Sequence, residues 1–474
     1  MKSIKIISLL VLLFTILSRL FGFVREIGVA SFFGVNHYTD IFFVILIFPI
    51  MLSQIIGSNL SVKLIGDLKK EENKMIKQTI DKYFYNGLII FSIVSLGIFI
   101  FNIITVEVPS NSNINSFLWI SNISLSISTL FWGMSYLNMG ILQADSKFIV
   151  CTIAPLLSNV ISIIIMFFFQ KVIYSIPIAF TISSIVQMVF VSIFIKGHRS
   201  LSFSLFRKNF DAQIFKNIIV MVLSSFALQL PLIMERYIVL RLGEGYVTIL
   251  NLAQKVYQLP TNIIISSLIS MIFPLLLRLN GNRRYSNLLI KTIVNICIIS
   301  APIISIIYIS SPFLVDTFFG KSIKDQEQLN ELAMLIKVFG ISTALYIIRD
   351  LLLKLLFSLD YLMVTIKISI VTTIINIALD IVMIYFFGII GIPIALIFSL
   401  IIFVVLSMKF MNKRGPISKK KFVSFLDFKL VYNVISIICV ILLFTNDQII
   451  FSILLNLLNK FKGLKDLFRF LFFE

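Results

Sequence analysis

Apolar runs of about 20 residues recur from one end of this chain to the other, separated only by short polar breaks. In hydrocarbon every backbone N–H and C=O must be bonded within the segment, so such runs fold as membrane-spanning helices or not at all. Charged residues make up 13% of the 474 residues and apolar ones 59%. Soluble domains carry about 25% charge, and a particle of this size could not hide that much apolar surface from water. A soluble enzyme, a coiled coil, a disordered chain and a single-anchor protein are therefore excluded. A membrane β-barrel is excluded as well, because its strands alternate with period two. The fold class is an all-α polytopic membrane protein.

Dividing the chain at its polar breaks gives fourteen expected spans, near 4–32, 38–65, 83–105, 115–142, 148–169, 174–195, 214–242, 246–277, 286–311, 328–357, 362–387, 390–411, 428–445 and 448–459. The last is the shortest apolar run and is followed by an amphipathic stretch, 461–473. Lys2 and Lys5 ahead of an apolar run resemble a signal peptide, but no small-residue cleavage site interrupts the run, so a retained first span is expected.

Charge sets the orientation. The formal net charge of +19 would suggest nucleic acid in a soluble protein; here it sits in alternate connections, and no nucleic-acid partner is expected. Lys69, Lys70, Lys74, Lys77 and Lys82 lie between spans two and three. Lys196, Arg199, Arg207 and Lys208 follow span six, Arg278, Arg283, Arg284 and Lys291 follow span eight, and Lys409, Lys413, Arg414 and Lys419–Lys421 follow span twelve. The odd-numbered connections hold few: Lys171, Arg241, Lys321 and Lys324. The positive-inside rule then puts the N-terminus in the cytoplasm. The basic tail, with Lys460, Lys462, Lys465 and Arg469, belongs on the same side and requires an even number of spans.

The chain also repeats itself. Arg25, Gly34, Asp40 and Pro49 recur as Arg236, Gly245, Asn251 and Pro260, all at the offset 236 − 25 = 211. Asp145 and Asn159 resemble Asp360 and Asn376 more loosely. Span one maps onto span seven, so parity is kept and the repeat is parallel, about an axis along the membrane normal. The expected organisation is an N-lobe at 1–196, a connector at 197–213, a C-lobe at 214–411, and a connector with two further helices at 412–474. A parallel repeat of this kind leaves a cavity between lobes and supports alternating access.

Ionisable residues inside spans are costly and usually face a cavity or each other. Span one holds Arg19, Arg25 and Glu26. Arg19 and Glu26 are seven apart and share a face; they could pair there while Arg25 reaches to the interface, or the two arginines could line a cationic wall. Lys255 lies mid-span in the eighth helix beside Gln254, either paired with an acid or facing the same cavity. Three such cations in a membrane cavity call for an anion, and a diphosphate suits them, because Arg meets its oxygens bidentately and Lys adds a point charge. The apolar spans offer grooves for a polyprenyl tail. Glu235, Asn376 and Asp380 supply hard oxygen atoms that could hold a small cation, Na+ or H+, or form a hydrogen-bonded cluster. Arg349, Asp350 and Lys354 read as helix packing or cytoplasmic rim. Cys151, Cys297 and Cys439 lie singly in apolar helix, as packing residues. Only two histidines occur, His37 and His198, and no P-loop, so His-based metal chemistry and ATP hydrolysis by that route are excluded. With no connection long enough for a catalytic domain, a glycosyl- or acyltransferase is disfavoured and a transporter expected, working without a cofactor other than a coupling ion.

The run Ser18-Arg19-Leu20-Phe21-Gly22-Phe23-Val24-Arg25-Glu26, then Phe33-Gly34, Thr39-Asp40-Ile41-Phe42-Phe43 and Phe48-Pro49, resembles the first hairpin of the MurJ (MviN) lipid II flippases. Leu250-Asn251-Leu252-Ala253-Gln254-Lys255 with Leu259-Pro260 resembles their eighth helix. These proteins belong to the multidrug, oligosaccharide-lipid and polysaccharide exporter superfamily. The resemblance implies two six-helix lobes in a V, two extra C-terminal helices, and carriage of an undecaprenyl-diphosphate-linked peptidoglycan precursor across the bacterial cytoplasmic membrane, by a monomer working in the bilayer. It implies substrate-binding roles for Arg19, Arg25, Asp40 and Lys255, Lys255 standing where the family has arginine; Glu26 and Arg236, charges inside spans one and seven, are expected at the same diphosphate site. It implies a sodium site at Glu235, Asn376 and Asp380, whose twelfth-helix hydroxyl ligand falls near Leu396. A basic pair of the family's second helix is Ser53-Gln54 here. The alternatives are a flippase of Wzx type for another lipid-linked oligosaccharide of capsule or exopolysaccharide, and a drug/cation antiporter.

Overall fold

The computed structural model describes residues 2–68, 76–106, 112–195, 229–278, 283–320, 322–323, 325–358 and 361–414. Among these the chain is helical, with no strand. The helices are α1 (Lys2–Phe33), α2 (His37–Leu68), α3 (Ile76–Thr105), α4 (Ser112–Ala144), α5 (Phe148–Phe168), α6 (Ser175–Ile193), α7 (Leu230–Leu240), α8 (Tyr246–Arg278), α9 (Arg283–Phe319), α10 (Gln326–Ser358), α11 (Leu362–Phe387) and α12 (Gly391–Arg414). They follow the order of the first twelve expected spans. Eight segments among the described residues are long and apolar enough to cross a membrane. The expected spans at 428–445 and 448–459, the stretch 461–473, the first half of span seven and Cys439 lie outside the described residues.

Several helices outrun the apolar stretch that announced them. The helix α3 starts at Ile76 rather than 83, because an i→i−4 ladder does not stop where hydrophobicity stops. Inside the bundle, hydroxyl groups without water bond back to their own helix: Ser53 Oγ donates to the Pro49 carbonyl at 2.5 Å, Thr129 Oγ1 to Leu125 at 3.2 Å and Ser162 Oγ to Ser158 at 2.9 Å. Others fasten helix to helix. Ser128 meets Thr181 at 3.0 Å, Gln187 Nε2 donates to Ser135 Oγ at 3.1 Å, and Asn138 Nδ2 donates to Ser192 Oγ at 3.0 Å. Each such bond contributes on the order of 0.6 kcal/mol.

The order of packing displays the repeat. In the first half α1 lies on α5, α2 on α4, α3 on α4, α4 on α6, α5 on α6 and α2 on α3. In the second half α7 lies on α11, α8 on α10, α9 on α10, α10 on α12, α11 on α12 and α8 on α9. Adding six to every helix number converts one set into the other. The halves meet where α1 and α2 touch α7 and α8, with a smaller contact of α1 on α9.

Apolar cores show how the two halves sit. One cluster crosses between them, joining Val29, Ala30 and Ile41–Leu46 to Val239, Val247, Leu250 and Ala253. This lies near the α1–α2 and α7–α8 turns, where Gly34 (φ +81°) and Gly245 (φ +89°), partners in the repeat, both take the left-handed conformation that a side chain would strain. Toward the other end the core divides. Ile56, Leu60, Leu64, Ile80 and Leu142 form a cluster within the first half, and Leu289, Leu352, Leu356 and Met408 one within the second. Among the described residues the core is thus shared at one end and divided between the halves at the other.

Candidate anion site and its acidic neighbour

The helix α1 presents Glu26 to α8, and α8 meets it with Asn251 and Lys255, which share a face by i, i+4 spacing. Glu26 is 2% exposed and fully engaged. Its Oε1 accepts from Arg25 Nη2 at 3.0 Å and lies 3.6 Å from Lys255 Nζ. Its Oε2 accepts from Asn251 Nδ2 at 3.0 Å. The Arg25 guanidinium also rests 4.3 Å from the Phe180 ring centroid, a cation–π contact contributed by α6. One carboxylate thus gathers two cations from opposite lobes and leaves a local excess of positive charge. The Lys255 side chain keeps 36% of its surface exposed, against 11% for Arg25.

Arg19 sits nearly two turns earlier on α1, half-buried. Of the two readings of span one, the pairing of Arg19 with Glu26 is not made: Arg25 and Lys255 occupy that carboxylate. Among the described residues nothing accepts a hydrogen bond from Arg19 Nη1 or Arg25 Nε. Asn159 of α5 reaches α1 at this level and donates to the Ser18 carbonyl at 2.9 Å, lying against Gly22.

Two residues expected at the anion site do other work. Asp40 is 0% exposed. Its Oδ2 accepts from the Gly245 N–H at 2.5 Å, and its Oδ1 from the Thr248 N–H at 2.8 Å and Thr248 Oγ1 at 2.7 Å. It caps the first turn of α8 from the opposite lobe, satisfying amide groups that a helix N-terminus cannot satisfy itself. Arg236 is 6% exposed; Nη2 donates to Asn251 Oδ1 at 2.5 Å and Nη1 to the Phe43 carbonyl at 3.3 Å. It clamps α7 to α8 and α2, and its Nε is buried without a hydrogen-bond partner among the described residues. Further fastenings run along this seam: the His37 N–H donates to Glu244 Oε1 at 3.1 Å, and Thr105 Oγ1 lies 3.2 Å from the Tyr237 hydroxyl.

Glu235 lies on α7 and Asn376 and Asp380 on α11, two helices that pack together. Asn376 Nδ2 donates to Asp380 Oδ2 at 2.9 Å, and Gln254 Nε2 of α8 donates to Glu235 Oε2 at 2.9 Å. Glu235 is 4% exposed, Asn376 2% and Asp380 0%. Asn376 Oδ1 and Asp380 Oδ1 are buried without a hydrogen-bond partner among the described residues. Orphaned oxygen atoms beside a second carboxylate fit a hard monovalent cation. Leu396 brings no hydroxyl, and Ser399 of the same helix spends its Oγ on the Leu396 carbonyl at 2.9 Å.

Elsewhere the simpler readings hold. Asp350 and Lys354 pair at 3.1 Å along α10, and Arg349 lies over the rings of Tyr346 and Phe403 at 5.4 and 5.7 Å. Cys151 is buried and Cys297 half-buried, both as free thiols. Ser53 is buried and bonded to its own helix, and Gln54 is exposed, so no cation replaces the basic pair of the second helix. The functions of Asn251 and Gln254 were hidden in the sequence. Their i, i+3, i+4 relation to Lys255 was the available signal, but only the approach of α1 gives it meaning.

Known proteins with this sequence and architecture point one way. The family model described as lipid II flippase MurJ matches residues 29–460. A probable lipid II flippase MurJ of Borreliella burgdorferi is 24% identical over 437 residues, covering 88% of this chain and 85% of that protein. The lipid II flippase MurJ of Thermosipho africanus is 31% identical over 196 residues, 39% of this chain and 40% of that one. Among solved structures, a lipid II flippase MurJ in an inward closed conformation superposes with a TM-score of 0.74 at 20% identity, covering 96% of this chain and 100% of that one. An inward-facing multidrug resistance MATE transporter of the MOP superfamily reaches 0.67 at 14% identity, over 87% and 96%; both structural likenesses speak to the fold. With the family match running through most of its length, this chain belongs to the MurJ lipid II flippase family, as a multi-pass protein of the cytoplasmic membrane.

Proposed function

We propose that the protein carries lipid II, the undecaprenyl-diphosphate-linked peptidoglycan precursor, from the inner to the outer leaflet by alternating access. The observation that carries this reading is the bridging of Arg25 and Lys255 by one buried carboxylate across the lobe boundary. An arriving diphosphate competes with Glu26 for both cations, and Arg19, with Nη1 unpaired, adds a third. Binding at that point pulls on both lobes at once, as a ligand must if it is to shift the balance between two arrangements of them. The N-lobe at 1–196 and the C-lobe at 214–411 rock about the shared core, as a monomer. The loop charges favour cytoplasmic termini, which turns the divided end of the core inward and the Asp40 seam outward. Glu235, Asn376 and Asp380 hold a coupling cation, which neutralises charge that would otherwise be stranded in the bundle.

Reconstitution into liposomes is the test. Purified protein is supplied with lipid II in one arm and with an undecaprenyl-diphosphate-linked capsule-type oligosaccharide in the other, and the fraction reaching the opposite leaflet is read by an impermeant labelling enzyme. Lipid II should move and the oligosaccharide should not. Movement of the oligosaccharide alone would replace the substrate named here, and movement of neither would end the reading.

A further inference from the structure

One amide side chain lies between the two polar clusters. Asn251 donates Nδ2 to Glu26, at the centre of the anion site, and accepts at Oδ1 from Arg236, the residue next to Glu235. Three residues on, the same face of α8 presents Gln254, which donates to Glu235. Lys255 follows and belongs to the anion site. Asn251 is 2% exposed and Gln254 3%, so water does not screen these bonds.

Formal charges show why the bridge matters. Arg19, Arg25, Lys255 and Arg236 carry four positive charges, and Glu26, Glu235 and Asp380 three negative ones, so the ionised set carries one net positive charge, less than the two negative charges of a diphosphate diester. Adding a diphosphate at Arg25 and Lys255 leaves an excess of negative charge and takes partners from Glu26. Glu26 then depends on Asn251 and, behind it, on Arg236. Arg236 held toward Glu26 compensates Glu235 less, and a cation between α7 and α11 restores the balance.

We propose that Asn251 is a positioning residue that links the two sites, so that a small monovalent cation bound at Glu235, Asn376 and Asp380 raises affinity for a diphosphate lipid at Arg25 and Lys255. This rests on the proposed function above. Linkage is reciprocal, so either ligand favours the other. The repeat partner of Asn251 is Asp40, which caps the opposite lobe and bridges no such pair. The linking amide of the C-lobe therefore has no counterpart at the repeat position in the N-lobe.

The test measures binding, not transport. Full-length protein in detergent is titrated with undecaprenyl diphosphate in sodium chloride and, at equal ionic strength, in choline chloride. In the unaltered protein sodium should lower Kd by about fivefold or more, within the ordinary range of coupling between sites. In Asn251→Leu the ratio of the two Kd values should fall to about one. A purely structural role would weaken binding equally in both salts and keep the ratio. Should Asn251→Leu fail to fold, Asn251→Asp carries the test: it still accepts from Arg236 but has no proton for Glu26, and it too should lose the ratio. A preserved ratio in either folded variant, or no sodium effect in the unaltered protein, overturns the link and leaves the function standing. Absence of undecaprenyl diphosphate binding in both salts overturns the function and the link together.

Discussion

Glu26→Gln is the perturbation that interrogates the anion site most directly. It keeps the size and one acceptor oxygen but removes the charge that holds Arg25 and Lys255 together. The two partners contribute unequally. Arg25 pairs at 3.0 Å with 11% of its side chain exposed, and breaking a buried pair from one side costs about 3–5 kcal/mol, because the remaining charge is stranded. Lys255 lies at 3.6 Å with 36% exposed, where water discounts the pair to about 0–1 kcal/mol. Glu26→Gln should therefore destabilise the protein by about 3–5 kcal/mol, nearly all through Arg25. The double variant Glu26→Gln with Arg25→Gln should be less destabilised than the sum of the single variants, since it strands no charge on Arg25. The assay is denaturant unfolding in detergent, run as a double-mutant cycle. A loss below about 1 kcal/mol for Glu26→Gln, or strict additivity in the cycle, would refute the reasoning, since a buried pair cannot be lost so lightly.

Arg19→Ala should abolish lipid II translocation in liposomes while leaving the purified protein monodisperse, and Arg25→Ala, which takes the closest cation from buried Glu26, should abolish translocation and also lower stability; normal transport by both would remove the anion site from this place. Lys255→Met should lose translocation with a stability change of no more than about 1 kcal/mol, and Lys255→Arg should keep transport; equal loss in both variants would show that shape rather than charge matters there. Asp40→Ala leaves the Gly245 and Thr248 amides unsatisfied, at about 1–3 kcal/mol for each buried group, so unfolding should come at lower denaturant while undecaprenyl diphosphate affinity stays within about threefold, a difference below 1 kcal/mol. A selective fall in affinity would return Asp40 to the binding site. Asp380→Asn should abolish any sodium dependence of transport, and an unchanged sodium profile would exclude it as a cation ligand.

The sequence by itself determined the class, the order of the first twelve helices and the parallel repeat. These follow from one-dimensional quantities: the length of apolar runs, the positions of Gly and Pro, and the offset of 211. It also named Arg19, Arg25, Glu26 and Lys255, because a charge inside an apolar run is costly enough to stand out. Which charge meets which partner belonged to the tertiary structure. Arg19 and Glu26 share a helical face, yet Glu26 is taken by Arg25 and by Lys255 from the other lobe. Asp40 and Arg236 looked like binding residues by the same criterion of a charge in an apolar setting. They act as fastenings, because a backbone turn holds the Asp40 carboxylate and an asparagine and a backbone carbonyl from distant parts of the chain hold the Arg236 Nη atoms. A sequence records what a side chain can donate or accept; the partner that satisfies it is set by the packing of one lobe against the other.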